Sequence, residues 1–172
     1  MTDRLALSAL VNNHSGVLLR VAGLFARRGF NIQSLTVSQT ENPEFSRMTI
    51  VSQADPATFR QIEMQLLKLE DVQKVIRLED GKTTSSELLF VKVRALNKDR
   101  PAVLKTLLKF GARVRDIGHK TITAELTGES ATIDEFIEAI SQHHIVELSR
   151  SGITALASGD VSINDDEDSL PE

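Results

Sequence analysis

The sequence contains no cysteine, no tryptophan and no tyrosine. Without cysteine it has no disulfide, thiol nucleophile, iron–sulfur ligand or thiolate zinc site. Only four histidines are available for metal or acid–base work. No apolar run approaches the roughly 20 residues that a membrane helix needs. The start, Met1-Thr2-Asp3-Arg4, shows no charged-then-apolar signal region, so a cytoplasmic protein is expected. Excess charge of one sign is missing from the body of the chain: residues 1–80 carry nine basic and nine acidic groups, and 81–159 carry eleven and nine. Residues 160–172 carry six acidic groups and no basic ones, so the net charge of -4 sits in the tail. A near-neutral body argues against a broad nucleic-acid surface.

What is present is a pattern that occurs twice. Arg4 to Val11 alternates as a half-buried strand does, with Leu5, Leu7, Ala9 and Val11 on one face. Ser15 is placed to cap a helix whose apolar positions Val17, Val21, Leu24 and Phe25 share a face, and Gly29 supplies its stop. Ile32 to Gln39 and Arg47 to Ser52 form a hairpin around Glu41-Asn42-Pro43-Glu44. Asp55-Pro56 opens a second helix carrying Phe59, Ile62, Leu66 and Leu69, and Val72 to Leu78 closes the unit as a strand.

Polar, aperiodic residues 79–86 read as a linker. The order then repeats. Glu87 to Ala95 is a strand, Pro101 to Phe110 a helix stopped by Gly111, and Arg113 to Ile117 with Thr121 to Thr127 a hairpin. Thr132 and Glu135 form a capping box before Ile133, Phe136, Ile137 and Ile140, and Ile145 to Ile153 supplies the last strand. The fold class is therefore α+β, two ferredoxin-like βαββαβ units in tandem at 1–78 and 87–159. Residues 160–172 read as an acidic disordered tail. Units of about 75 residues bury little surface, so their association or dimerisation is expected.

Reacting groups are scarce. His143 and His144 are adjacent, so on a helix they diverge by about 100° and cannot share a metal. His119 falls in the turn Gly118-His119-Lys120. No G-x-x-x-x-G-K-[ST] or G-x-G-x-x-G cradle occurs. An RNA-recognition sheet stacks bases on aromatics of its central strands; here the third strand reads Phe45-Ser46-Arg47-Met48-Thr49-Ile50-Val51, the first has no aromatic, and the seven phenylalanines read as core. One constellation remains. Asn12-Asn13-His14-Ser15-Gly16-Val17-Leu18 leads from the first strand into the first helix, and Gly16 falls where helix N–H groups are unpaired. Such a loop suits a carboxylate, and the amide oxygens of Asn13 and Asn31 suit an ammonium group. Together they complement a free amino acid. In the second unit Ala102 stands for Gly16 and Arg113 for Asn31, so a site in the first unit alone is expected.

Around this loop the sequence resembles the small regulatory subunits of acetohydroxyacid (acetolactate) synthase, whose first half is an ACT domain. The resemblance rests on Leu7 to Leu18, on Arg20-Val21-Ala22-Gly23-Leu24-Phe25-Ala26-Arg27-Arg28-Gly29-Phe30-Asn31-Ile32-Gln33-Ser34-Leu35-Thr36-Val37, on Ser46 to Val51 and on Gln65 to Val72. Leu88 to Val93, Glu125 to Gly128 and Arg150 to Ile153 extend it more loosely into the second half. It implies a non-catalytic partner that activates a catalytic large subunit and makes it sensitive to valine in branched-chain amino acid biosynthesis. Thiamine diphosphate, magnesium and FAD are then expected in the catalytic partner and no cofactor in this chain. It further implies a homodimer through ACT domains, with Asn13 and Gly16 from one subunit, Asn31 from its neighbour, and backbone contacts from Val17 and Leu18. An amino-acid-sensing ACT regulator of a different partner is the alternative. His14 departs from the family, where the position is often acidic, and its charge is expected to tune effector affinity near neutral pH.

Overall fold

The computed structural model describes residues 3–164, with Asp3 and Arg4 described by backbone alone. The elements are β1 (Asp3–Asn12), α1 (Val17–Arg28), β2 (Ile32–Gln39), β3 (Phe45–Ala54), α2 (Pro56–Leu66), β4 (Val72–Leu78), β5 (Thr83–Arg94), α3 (Arg100–Lys109), β6 (Arg113–Ile117), β7 (Thr121–Gly128), α4 (Ser130–Ile140), β8 (Ile145–Arg150) and β9 (Thr154–Ala157). They gather into two units, one of residues 3–85 with 153–164, the other of 86–152.

The first unit is an antiparallel sheet in the order β2-β3-β1-β4. The second repeats it as β6-β7-β5-β8. Each is a ferredoxin-like βαββαβ unit, as the repeated pattern predicts. In the first core Leu7, Ala9 and Val11 of β1 meet Met48 and Ile50 of β3, and both helices lay their apolar stripes on that face: Val17, Val21, Leu24 and Phe25 from α1, Phe59, Ile62 and Leu66 from α2. Each large side chain so buried contributes about 1.5–3 kcal/mol of transfer free energy. The second core is built alike from Leu89, Val91, Val93, Val103, Leu107, Ile133, Phe136 and Ile140.

Four expectations are corrected. Gly16, not Ser15, is the residue at the start of α1, and no side chain caps that helix. The capping box Thr132/Glu135 lies inside α4, which starts earlier with Glu129 at its N-cap and without a side-chain cap; Ser130 turns its hydroxyl to the buried Glu87 carboxylate instead. The linker 79–86 is half a strand, since β5 already begins at Thr83. Finally, the last strand stops at Arg150, and the chain returns to the first unit as β9.

In that return segment β9 pairs with β5. Ser8, Thr49 and Val51 alternate with core residues and so point away from the helices, yet each is at most 2% exposed. In the return segment Ala155 and Ile163 are buried too, at 3% and 2% exposed. Thr36 Oγ1 donates to the Ile153 carbonyl at 2.7 Å, Ser158 N–H to the Lys82 carbonyl at 2.9 Å, and Asn164 Nδ2 to Glu41 Oε1 at 2.9 Å. Residues 160–164, expected in the tail, are thus part of the first unit; 165–172 lie outside the described residues.

Candidate functional site

β1 ends at Asn12, and the loop to α1 is held from two sides. On one, the turn between β2 and β3 grips Asn13: its N–H donates to the Glu44 carbonyl at 2.7 Å, its Nδ2 to the Pro43 carbonyl at 2.9 Å, and its Oδ1 accepts the Ser46 hydroxyl at 2.9 Å. On the other, the turn between α2 and β4 supplies Asp71, whose carbonyl accepts Asn12 N–H at 2.8 Å. Its carboxylate takes Arg20 Nε on one oxygen and His14 Nε2, at 3.0 Å, on the other. Arg20 beside it holds the Asp71 carboxyl below the usual carboxylate range, first through that hydrogen bond and then through its charge, with a smaller contribution from His14; burial opposes them.

Between these two anchors Gly16 adopts a left-handed conformation, φ 90°, which an L side chain rarely enters. The turn carries the chain straight into α1, whose first turn has no side-chain cap and carries no acid of its own. Val17 is 3% exposed and packs into the core, so it presents backbone only; Leu18 is 46% exposed. The positive end of the helix and its uncapped N–H groups are suited to a carboxylate.

Asn31 is not beside them. It sits just past the other end of α1, a 12-residue helix about 18 Å long, where its carbonyl accepts the Ser52 hydroxyl at 2.7 Å. One chain therefore brings Asn13, Gly16, Val17 and Leu18 together and leaves Asn31 at the far end of the same helix, heading the edge strand β2.

Arg20 and Asp71 are the site neighbours that sequence reasoning missed. They are 51 positions apart, and only the pairing of β1 with β4 makes them neighbours. No local signal marked them, since Ser15 reads as a cap for α1 in the sequence and the missing cap shows only in the structure. The matched positions of the second unit also need correction. Gly29 and Gly111 end α1 and α3 in the same left-handed way, which sets Asn31 opposite Arg113 as expected but sets Gly16 opposite Lys98. Ala102 lies within α3, whose N-cap is Asp99, and an acid there opposes a bound carboxylate. Of the other histidines, His119 is exposed, and His143 Nε2 lies 3.3 Å from the Thr106 hydroxyl. Among the described residues no group of three metal-ligating side chains occurs and no helix is long and apolar enough to cross a membrane.

Comparison with known proteins covers nearly the whole chain. Residues 7–74 match the family described as AHAS small subunit-like ACT domain, and residues 86–159 match that described as small subunit of acetolactate synthase. The chain is 44% identical to the probable acetolactate synthase small subunit of Methanothermobacter thermautotrophicus, over 91% of this chain and 94% of the relative. It is 41% identical to the acetolactate synthase isozyme 3 small subunit of Escherichia coli, over 91% and 97%. The solved acetolactate synthase small subunit from Thermotoga maritima superposes with a TM-score of 0.85 at 34% identity, covering 92% of this chain and 99% of that one.

Proposed function

Because the chain belongs to the acetolactate synthase small-subunit family, we propose that it is the non-catalytic regulatory subunit of that synthase, activating the catalytic large subunit and conferring feedback inhibition by valine. The observation that carries the effector half of this reading is the start of α1. A left-handed glycine, an uncapped helix and an asparagine fixed alongside form a receptor for the two charged ends of a free amino acid. Gly16 gives access to the backbone, and the N–H groups of Val17 and Leu18 receive the carboxylate. Asn13 Oδ1 keeps a second lone pair beyond the one Ser46 uses, and it faces the ammonium group.

Asn31 joins the site from a second copy. β2 is an edge strand with one side unpaired, and Leu18, Leu19 and Val37 are exposed at 46%, 76% and 43%. Antiparallel pairing of β2 with its two-fold mate sets the head of one strand beside the tail of the other. The head is Asn31, and the tail leads into the very turn that Asn13 grips through Pro43 and Glu44. A homodimer through the ACT domains therefore completes two effector sites.

Chemistry is assigned to the large subunit, which brings thiamine diphosphate, magnesium and FAD; this chain supplies regulation in the cytoplasm. The test is a titration of the protein into purified catalytic subunit, assayed on pyruvate with and without valine. Turnover should rise to saturation and become valine-sensitive, while the protein alone forms no product. Turnover unchanged across the titration would overturn the assignment.

A further inference from the structure

The glycine at position 16 leaves a space, and a cation stands at its wall. A β-carbon built on Gly16 would lie 3.3 Å from Arg20 Nη1 and 3.8 Å from its Cζ. An oxygen occupying the same space is therefore within reach of a hydrogen bond from that guanidinium, immediately beside the free N–H groups of α1. We propose that Arg20 is the specificity-determining residue of the effector site: its guanidinium receives the effector carboxylate together with the first turn of α1, so the site accepts a free α-carboxylate and discriminates against the same side chain on a neutral amide. This rests on the effector reading above and deepens it.

Three observations support the assignment. The guanidinium is oriented, not free: Nε is spent on Asp71, and Nη1 lies beside Gly16. Asp71 is itself fixed, because its residue is 8% exposed, its carbonyl holds Asn12, and its second carboxylate oxygen holds His14. The first turn of α1 carries no acid, so the cation nearest to the helix start is not cancelled from its own element. Asp71 acts through Arg20 and is a positioning residue. A guanidinium offers parallel donors in one plane, which matches a carboxylate where an ammonium would not.

The second unit lacks the arrangement. There the N-cap is Asp99, and Arg100, the first residue of α3, is committed to backbone carbonyls of Ala95, Gly118 and His119. A guanidinium near a helix start is thus committed to backbone carbonyls in one unit, and in the other is held by Asp71 through Nε with Nη1 beside Gly16.

The experiment measures binding of valine and of valinamide to the full-length protein by calorimetry, for the wild type, Arg20→Gln and Arg20→Lys. Wild type should prefer valine. Arg20→Gln should weaken valine by roughly ten- to a hundredfold, the worth of one charged hydrogen bond, and leave valinamide nearly unchanged, so that the preference collapses. Arg20→Lys, which keeps the charge and loses the planar fork, should fall between. An undiminished ratio of valine to valinamide affinity in Arg20→Gln overturns this inference while leaving the effector site standing. If Arg20→Gln does not fold, the same ratio in Arg20→Lys decides, and an undiminished ratio there overturns it equally. Wild type that binds neither compound overturns the effector reading itself.

Discussion

At Gly16 a left-handed backbone meets two further features, an uncapped helix start and a guanidinium beside the place a β-carbon would take. Any side chain there is strained by about 1–2 kcal/mol and meets the Arg20 guanidinium 3.3 Å away. Gly16→Asp adds a negative charge at the spot assigned to the effector carboxylate, so valine inhibition of the reconstituted synthase should be lost. Asn13→Ala removes the acceptor proposed for the ammonium group and also releases the turn held through Pro43 and Ser46. Its inhibition midpoint should rise roughly ten- to a hundredfold. Asp99→Ala at the start of α3 is the control and should leave the midpoint where it is. Valine dose-response curves for the three variants check this, with activation assayed in parallel as the measure of a folded subunit. Unshifted midpoints in both site variants place the effector elsewhere.

At the scale of the element, α2 and the return segment make separate predictions. The carboxylate of Asp55 caps α2, accepting Ala57 and Thr58 N–H at 2.9 and 3.0 Å and the Thr58 hydroxyl at 2.6 Å. These bonds, the Thr58 hydroxyl foremost, hold its carboxyl below the ordinary value. A depressed carboxyl binds its proton more readily in the unfolded chain, so its contribution is complete above the ordinary aspartate range and disappears as pH falls through the lowered folded value. The gap in thermal midpoint between wild type and Asp55→Asn should be steady above about pH 5 and shrink below about pH 4. Midpoints that stay parallel down to acid pH would reject this.

The return segment is where the sequence was least legible. Long amphipathic helices and alternating strands announce themselves by period, and every buried position of α1 was readable in that way. β9 is four residues long, its buried Ala155 is small, and Ile163 has only Val161 as an apolar neighbour before the acidic run. No period can be read from two apolar residues, and the charge count pointed towards solvent. Likewise Asn13 and Gly16 were legible because loop chemistry is local, whereas the grip of Asp71 on Arg20 depends on which strands pair. If the burial of Ile163 matters, Ile163→Ala should cost about 2–5 kcal/mol of stability in the first unit. A chain ending at Gly159 should lose at least as much. One ending at Asn164 keeps Ile163 and the bond to Glu41 and should unfold at the wild-type midpoint. Urea curves of the three proteins decide, and three equal midpoints would show that the segment adds nothing.

For the whole molecule, regulation is a coupling between two binding events, and coupling is reciprocal. If valine changes what the regulatory subunit does to its catalytic partner through an equilibrium between states, the partner must change the affinity for valine by the same factor. Typical couplings are about 1–3 kcal/mol, or roughly 5- to 150-fold. The proposed completion of the site by Asn31 of a second copy adds a constraint: if it holds, valine also stabilises the dimer and dilution should weaken its binding. Subunit affinity measured with and without saturating valine should therefore differ within that range. The sign identifies the mechanism: weaker association means that valine inhibits by releasing the activator, whereas tighter association means that it stabilises an inhibited complex. Equal affinities would remove both, because a ligand that does not distinguish two states cannot shift their equilibrium, and would leave inhibition as an effect on turnover within an unchanged complex.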